Sequence, residues 1–276
     1  MTDPLVSIIV PTRNSGRFLE NCLQSIKKQT YPNIELIVVD RDSADTTKEI
    51  AKKFTDHVLN YGPERSAQRN LGVEQAKGAY VAIIDSDMEL TQRVIEACVR
   101  TMNSGAALKG VIIPEESFGQ GFWAKCKALE RSFYIGNDDI EAARFFTRST
   151  YLEVGGYDET LVAGEDWDLS DRIKAIGPFA RIPELIRHNE GHIRLMTTLN
   201  KKLYYARHAR AYLIKSNPIT RQRHAGPIQR YKLFLSNPTK LFRQPLIGLG
   251  MLFLKTAEYA AGASGYYLTK RKELRT

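Results

Sequence analysis

The chain has 276 residues, with 40 Lys+Arg against 31 Asp+Glu and a formal net charge of +9. Hydrophobic content of 43% and charged content of 26% are those of a globular protein and exclude disordered and fibrous classes. From Arg194 onward 17 Lys/Arg face only Glu258 and Glu273, a net of +15 over 83 residues, whereas residues 1–193 carry a net of −6. An acidic body joined to a basic region predicts two tasks, the basic part meeting phosphate-rich material such as membrane or nucleic acid.

The elements are legible in chain order. Leu5 to Val10 is a short apolar, β-branched run that reads as a buried parallel strand closed by Pro11. Phe18, Leu19, Cys22, Leu23 and Ile26 then recur at helical spacing, and Tyr31-Pro32-Asn33 breaks that helix. Ile34 to Val39 reads as a second strand, and Asp42 to Asp45 as the cap of a helix reaching Phe54. A weak third strand at His57 to Leu59, a helix from Ser66 to Ala76 and a fourth strand from Tyr80 to Ile84 follow. Repeated strand–helix–strand units predict an α/β fold, a mostly parallel sheet with helices on both faces. Ligands of such sheets sit beyond the carboxyl ends of the strands, here after Val10, Val39 and Ile84. Between Gly110 and His192 the pattern is mixed, with strand-like runs at Val111 to Ile113 and Ala180 to Ile182. Beyond Leu195 it is helical, basic and Tyr-rich.

Three widely spaced cysteines, Cys22, Cys98 and Cys126, fit a reducing compartment better than a disulfide framework or a zinc site. Met1-Thr2-Asp3-Pro4 lacks the basic and apolar regions of a signal peptide, and no run reaches the roughly 18–20 apolar residues of a membrane span. Pro245 to Leu254 comes nearest and stops at Lys255.

Asp85-Ser86-Asp87, directly after the fourth strand, is the sharpest chemical feature. Two carboxylates on a strand-end turn can hold a hard divalent cation and leave positions for phosphate oxygens, although acids on solvated turns are common. Gly164-Glu165-Asp166-Trp167-Asp168 opens a helix, where acids are also favoured by the helix dipole alone. In Arg187-His188-Asn189-Glu190-Gly191-His192 the histidine spacing would suit zinc on a helix, but Gly191 argues against a helix and no third ligand is evident.

Four blocks occur together: Val6 to Asn14, Ile37 to Ser43, Glu64 to Gly72, and Ala76 through Asp87. In order and spacing they resemble the inverting family 2 glycosyltransferases over roughly residues 5–193. The resemblance implies the GT-A fold, a Rossmann-like nucleotide-diphospho-sugar transferase, here with a C-terminal helical basic extension. Residues 1–110 would be the nucleotide-sugar-binding half, 111–193 the acceptor-binding half, and 194–276 a membrane-associating region. Carried over by residue, Pro11, Thr12 and Arg13 would lie along the nucleotide of a UDP- or GDP-sugar and Asp40 would bind its base. Arg69 would approach base or diphosphate, while Asp85 with Ser86 would meet ribose or metal. Asp87 would be the main ligand of Mn2+ or Mg2+, with His188 reaching metal or diphosphate. Asp166 would be the general base, and Glu165 would orient acceptor or phosphates. Where the family often has Asp-Gly-Ser, this chain has Arg41-Asp42-Ser43, so Arg41 would alter base preference or pair with a surface acid.

The C-terminal region resembles, more loosely, family members acting on polyprenyl-linked acceptors. The expectation is a metal-dependent hexosyltransferase, peripheral on the cytoplasmic membrane face. Its acceptor would be polyprenyl or dolichyl phosphate or a lipid-linked glycan. The apolar run of Pro245 to Leu254 favours an anionic membrane surface over RNA, so nucleic acid is not expected as a partner. Helices packed on the catalytic domain or on a second copy would account for the same residues. A sugar nucleotidyltransferase would need a Gly-rich loop where Pro11-Thr12-Arg13-Asn14 stands; a membrane or RNA adaptor would keep the basic region without needing the acidic pairs.

Overall fold

A computed structural model describes residues 3–208, 212, 215–216 and 226–273. Two compact units result, the first formed by Met1–Glu115, Glu141–Glu159 and Asp166–Asn189, the second by Glu116–Ile140, Thr160–Glu165 and Glu190–Thr276.

The first unit is built on a seven-stranded sheet of order β3-β2-β1-β4-β8-β6-β9. These strands are β1 (Val6–Thr12), β2 (Ile34–Asp40), β3 (Val58–Asn60), β4 (Tyr80–Ile83), β6 (Gly110–Ile112), β8 (Phe145–Thr147) and β9 (Phe179–Arg181). Only β8 runs antiparallel to its neighbours. Alternation along β1 feeds two cores. Val6, Ile8 and Val10 pack with Leu23 and Ile26 of α1 (Leu19–Lys27) and Val94 and Cys98 of α4 (Val94–Met102). Ile9 packs on the other face with Val73 of α3 (Arg65–Gln75), Tyr151 of α6 (Arg148–Glu153) and Leu169 and Ile173 of α7 (Glu165–Lys174). Helices therefore cover both faces.

Pro11 does not close β1. It lies within the strand opposite Val39, while pairing of β1 with β4 ends two residues earlier at Ile9 and Ile83. On that side no partner strand asks for the missing N–H. Helix α2 (Thr47–Lys52) starts just past the expected Asp42 to Asp45 cap and ends short of Phe54; Asp42 takes a left-handed turn conformation (φ 44°), and the Asp45 carboxylate accepts from the Thr47 and Gly16 amides. Among the pieces that escaped the sequence reading, β5 (Met88–Leu90) pairs antiparallel with the start of β10 (Ile186–His192), setting His188 opposite Met88.

Among its described residues the second unit holds β7 (Glu115–Gln120), which begins at the last residue of the first unit's long stretch, and five helices. These are α5 (Phe122–Ser132), α8 (Leu195–His208), α9 (Pro227–Leu235), α10 (Pro238–Leu241) and α11 (Pro245–Glu273). Its core joins Cys126, Phe133 and Tyr134 to Phe234, Leu241, Met251 and Leu254. Beside it lies a buried charge cluster. Lys255 Nζ is 2.6 Å from Glu258, and Lys127 Nζ is 2.9 Å from Glu130 and 3.2 Å from Glu258. Lys255 also pairs with Glu130.

Candidate active site

The carboxyl ends of β1, β2 and β4 each deliver polar side chains, as a parallel sheet requires. Thr12 ends β1 and donates its hydroxyl to Asp40 Oδ2 at 2.9 Å. Asp40, fully buried at the end of β2, also accepts from the Ser43 amide at 2.9 Å and from the Ser43 hydroxyl at 2.5 Å. Gln68 of α3 donates to the carbonyls of Thr12 and Val39 at 2.9 and 2.6 Å, tying the ends of β1 and β2 together. Arg13 is exposed just past β1, while Pro11 is buried within it. Ser86 donates to Ser15 at 2.8 Å, which joins the turn after β4 to the loop after β1. Arg41 pairs with Glu64 at 3.1 Å, the surface acid that was one of its two expected fates.

Arg69 organises the centre. Its side chain is buried, with Nη2 2.6 Å from Asp85 and Nη1 3.1 Å from Asp166. The guanidinium stacks on the Tyr157 ring, 4.8 Å from its centroid, and the Tyr157 hydroxyl donates to the same Asp166 Oδ1 at 2.9 Å. Burial and then Asp166 push the Tyr157 phenol well above its ordinary range, so it stays a donor. Asp85 also meets Arg144 Nη1 at 3.5 Å, and Arg144 Nε donates to Glu115 at 2.6 Å. Burial acts to raise the Asp85 carboxyl, but the guanidiniums of Arg69, Arg144 and Arg65 outweigh it and hold the group well below the usual carboxylate range.

Asp87 lies at the mouth of the turn, with His188 Nε2 3.1 Å from its Oδ2 and the Asn189 amide donating to its carbonyl at 2.8 Å. Glu115 is 3.9 Å from His188 Nδ1. Glu165, the first residue of α7, is buried. Among the described residues no three His, Cys, Asp or Glu side chains converge as a ready metal cluster. Asp87 and His188 nevertheless offer one carboxylate and one imidazole donor side by side. That set suits a divalent ion completing its shell with water and phosphate oxygens.

Thus Asp85, Arg69 and Asp166 come together, as do Asp87 and His188, and Thr12 with Asp40. Gln68, Glu115, Arg144 and Tyr157 were not singled out as site residues in the sequence. Arg144 and Tyr157 had a visible signal, since they stand in the runs Arg144 to Arg148 and Val154 to Glu159, which resemble the family's usual approach to the Glu165-Asp166 pair.

A family description, glycosyl transferase family 2, matches residues 7–152 of this chain. The chain is 30% identical over 224 residues to the glycosyltransferase GlyA of Streptococcus pneumoniae, across 78% of this chain and 30% of GlyA. It is 30% identical over 151 residues to the GalNAc(5)-diNAcBac-PP-undecaprenol beta-1,3-glucosyltransferase of Campylobacter jejuni, across 51% of this chain and 49% of that one. Both matches span less than two thirds of the relative's length. Among solved structures, the mannosyltransferase PcManGT of Pyrobaculum calidifontis, in complex with GDP-Man and Mn2+, superposes with a TM-score of 0.57 at 20% identity, over 100% of this chain and 83% of that one. At that identity the likeness shows the fold.

Proposed function

The chain belongs to glycosyl transferase family 2, and from that premise we propose that it transfers a hexose, with inversion, from a UDP- or GDP-sugar to a membrane lipid acceptor. The acceptor class is a polyprenyl or dolichyl phosphate or a lipid-linked glycan, in keeping with the undecaprenol-linked acceptor in the name of the Campylobacter relative. The observation that carries this reading is the single guanidinium of Arg69 between Asp85 and Asp166. It supports a donor-side carboxylate and an acceptor-side carboxylate held at one fixed spacing, as an in-line displacement needs.

In the proposed reaction the acceptor oxygen attacks the anomeric carbon as the bond from that carbon to the diphosphate oxygen breaks. The nucleoside diphosphate leaves and the hydroxyl proton passes to Asp166. Arg69 and Tyr157 both donate to Oδ1, so Oδ2 is assigned as the proton acceptor. Were the acceptor a phosphate, its oxygen would already be anionic and Asp166 would position it. Glu165 is assigned to orienting the acceptor. Pro11, Thr12 and Arg13 would line the nucleotide, with Asp40 at the base and Asp85 with Ser86 at the ribose.

Asp87 and His188 would hold Mn2+ or Mg2+, with Asp85 beside them, and a bound ion supplies charge neutralisation on the leaving diphosphate. Residues 1–110 are assigned to the donor, 111–193 to the acceptor and 194–276 to the membrane. No described helix is long and apolar enough to cross a bilayer, which accords with peripheral attachment, on the cytoplasmic face where nucleotide sugars are available.

The test is nucleotide release from a panel of UDP- and GDP-sugars with Mn2+, with and without polyprenyl phosphate. Lipid-dependent release that falls sharply in D166N supports the proposal; unchanged turnover in D166N would overturn the role of the base.

A further inference from the structure

In the second unit several large apolar side chains are presented to solvent. Leu246 is 76% exposed, and Leu249 and Phe253 are each 57% exposed. They stand at i, i+3 and i+7 of α11 and so share one face of its first turns. Phe242, also exposed, precedes that helix and lies 3.5 Å from where a Cβ on Gly248 would stand. The face continues onto α5. The Trp123 ring is 6.0 Å from Phe253 and 4.9 Å from the exposed Phe122.

The base beneath this patch is close-packed. A Cβ on Gly250 would lie 2.4 Å from Phe122 Cζ and 2.7 Å from Cys126 Sγ, so α5 and α11 meet with no slack there. Farther along α11, Gly265 would set a Cβ 2.7 Å from the Leu203 carbonyl, so α8 packs on the other half of the helix. The exposed apolar face is therefore a fixed surface at one end of α11.

Charge indicates what covers it. No Asp or Glu occurs from Gly191 through Ala257. Arg243, exposed, stands between Phe242 and Leu246 in sequence, and Lys232 on α9 and Lys201 and Arg207 on α8 are exposed in the same unit. Exposed apolar side chains on a unit whose chain here is basic and free of acids match the layered chemistry of an anionic leaflet, with tryptophan at the boundary. The uncharged run from Pro245 to Leu254 is too short to span a bilayer.

We propose that Phe242, Leu246, Leu249 and Phe253, with Phe122 and Trp123, form the surface that inserts into the interfacial layer of an anionic membrane leaflet, with α11 lying in the plane. This assignment rests on the peripheral attachment proposed above and names the side chains that make it.

The test is co-flotation of the full chain with vesicles of phosphatidylcholine alone or mixed with phosphatidylglycerol. Binding is expected to the anionic vesicles and to weaken with added salt. Both leucines are exposed, so L246D/L249D should keep the wild-type circular dichroism and melting curve. Its vesicle partition should fall about tenfold or more. In W167F, where Trp123 is the remaining tryptophan, fluorescence should shift to the blue on anionic vesicles. Equal flotation of L246D/L249D and wild type would overturn the proposal. So would a wild type that ignores vesicles but sediments as a dimer, with L246D/L249D monomeric, which would assign the face to a second copy. Flotation needs no sugar donor. Transfer without flotation counts against this face alone, and flotation without transfer counts against the proposed reaction alone.

Discussion

Arg69 Nη2 lies 2.6 Å from Asp85 and its Nη1 3.1 Å from Asp166, so one buried side chain ties the turn after β4 to the start of α7. A lysine carries one compact charge and cannot hold two carboxylates in this fork. R69K is expected to fold yet to lose most transfer activity, while R69A should also lose stability. Asp85 and Asp166 are a quarter to a third exposed and regain water. The cost should therefore be on the order of 2–3 kcal/mol, below the roughly 3–5 kcal/mol of a fully buried pair. Urea titration of both variants, alongside donor turnover, separates the two effects.

Asn70, the next residue, clamps the loop that carries Tyr157. Its Oδ1 accepts from the Tyr151 hydroxyl at 2.7 Å and the Tyr157 amide at 2.9 Å, and its Nδ2 donates to the Tyr157 carbonyl at 2.9 Å and to Glu159 at 3.0 Å. N70A strips these groups of partners and should cost about 1–3 kcal/mol. A Cβ at Gly156, where φ is +64°, would stand 2.6 Å from Asn70 Oδ1, so G156A should disturb the same contact. Both variants should melt lower by thermal scan, by roughly 2–4 °C per kcal/mol for a chain of this size.

Tyr157→Phe removes one hydroxyl and leaves the ring against Arg69. The donor is lost from a charged acceptor, for which the usual worth is about 1.5–3 kcal/mol. If Asp166 acts as proposed, kcat should fall roughly 10-fold to 100-fold while KM for the donor stays near wild type. A raised donor KM with unchanged kcat would place Tyr157 in donor binding instead.

How far this centre can be read from sequence depends on how local its contacts are. Alternation in β1 and helical spacing in α1 and α3 announce themselves, because each rests on residues within a few positions of one another. The turn after β4 was legible because a parallel sheet directs ligands to its strand ends. The meeting of Asp87 and His188 was expected only through the family resemblance, which gave both to metal or diphosphate, and no local pattern shows it. It depends on β5 and β10, whose pairing covers only three residue pairs and joins segments about a hundred residues apart. The union of Asp85 with Asp166 was hidden likewise, since a single arginine on a third element makes it. Gln68 and Glu115 bear ordinary polar side chains whose sequence neighbours do not betray whose backbone or charge they meet.

The charge cluster of the second unit sets a pH dependence. For Glu130, burial acts to raise the carboxyl, but Lys127 and Lys255 outweigh it and hold it well below its ordinary 4.5. For Glu258, Lys127, Lys202 and Lys255 do the same against burial. Tyr134 just after α5, Arg230 of α9 and Tyr259 of α11 also face this cluster. A lowered folded value means stability that is present above pH 4.5 and lost as pH falls through the folded values below it. On the alkaline side, burial acts to lower Lys255, but Glu130 and Glu258 raise it above its ordinary 10.5, so its contribution is lost only above that value. E130Q should cost about 3–5 kcal/mol at neutral pH by leaving buried ammonium groups short of a partner. It should also flatten the acid limb of a Tm-against-pH series relative to wild type. Parallel acid limbs would show that this cluster does not govern acid stability.

Asp87 and His188 are the pair whose chemistry suits a divalent ion, with Nε2 3.1 Å from Oδ2. Neither donor alone makes a site, because a hard cation needs several ligands and here would draw the others from water and the diphosphate. The expectation is that Mn2+ binds weakly to the free protein and more tightly with GDP or UDP present. D87A and H188A should each weaken that nucleotide-dependent binding by at least the roughly 10–100-fold that losing outer-shell partners of a metal costs. H188A keeps the carboxylate and should retain more binding than D87A. Titration of Mn2+ by electron paramagnetic resonance, with and without nucleotide, reads this without turnover. Wild-type Mn2+ affinity in both variants would move the ion away from β5 and β10.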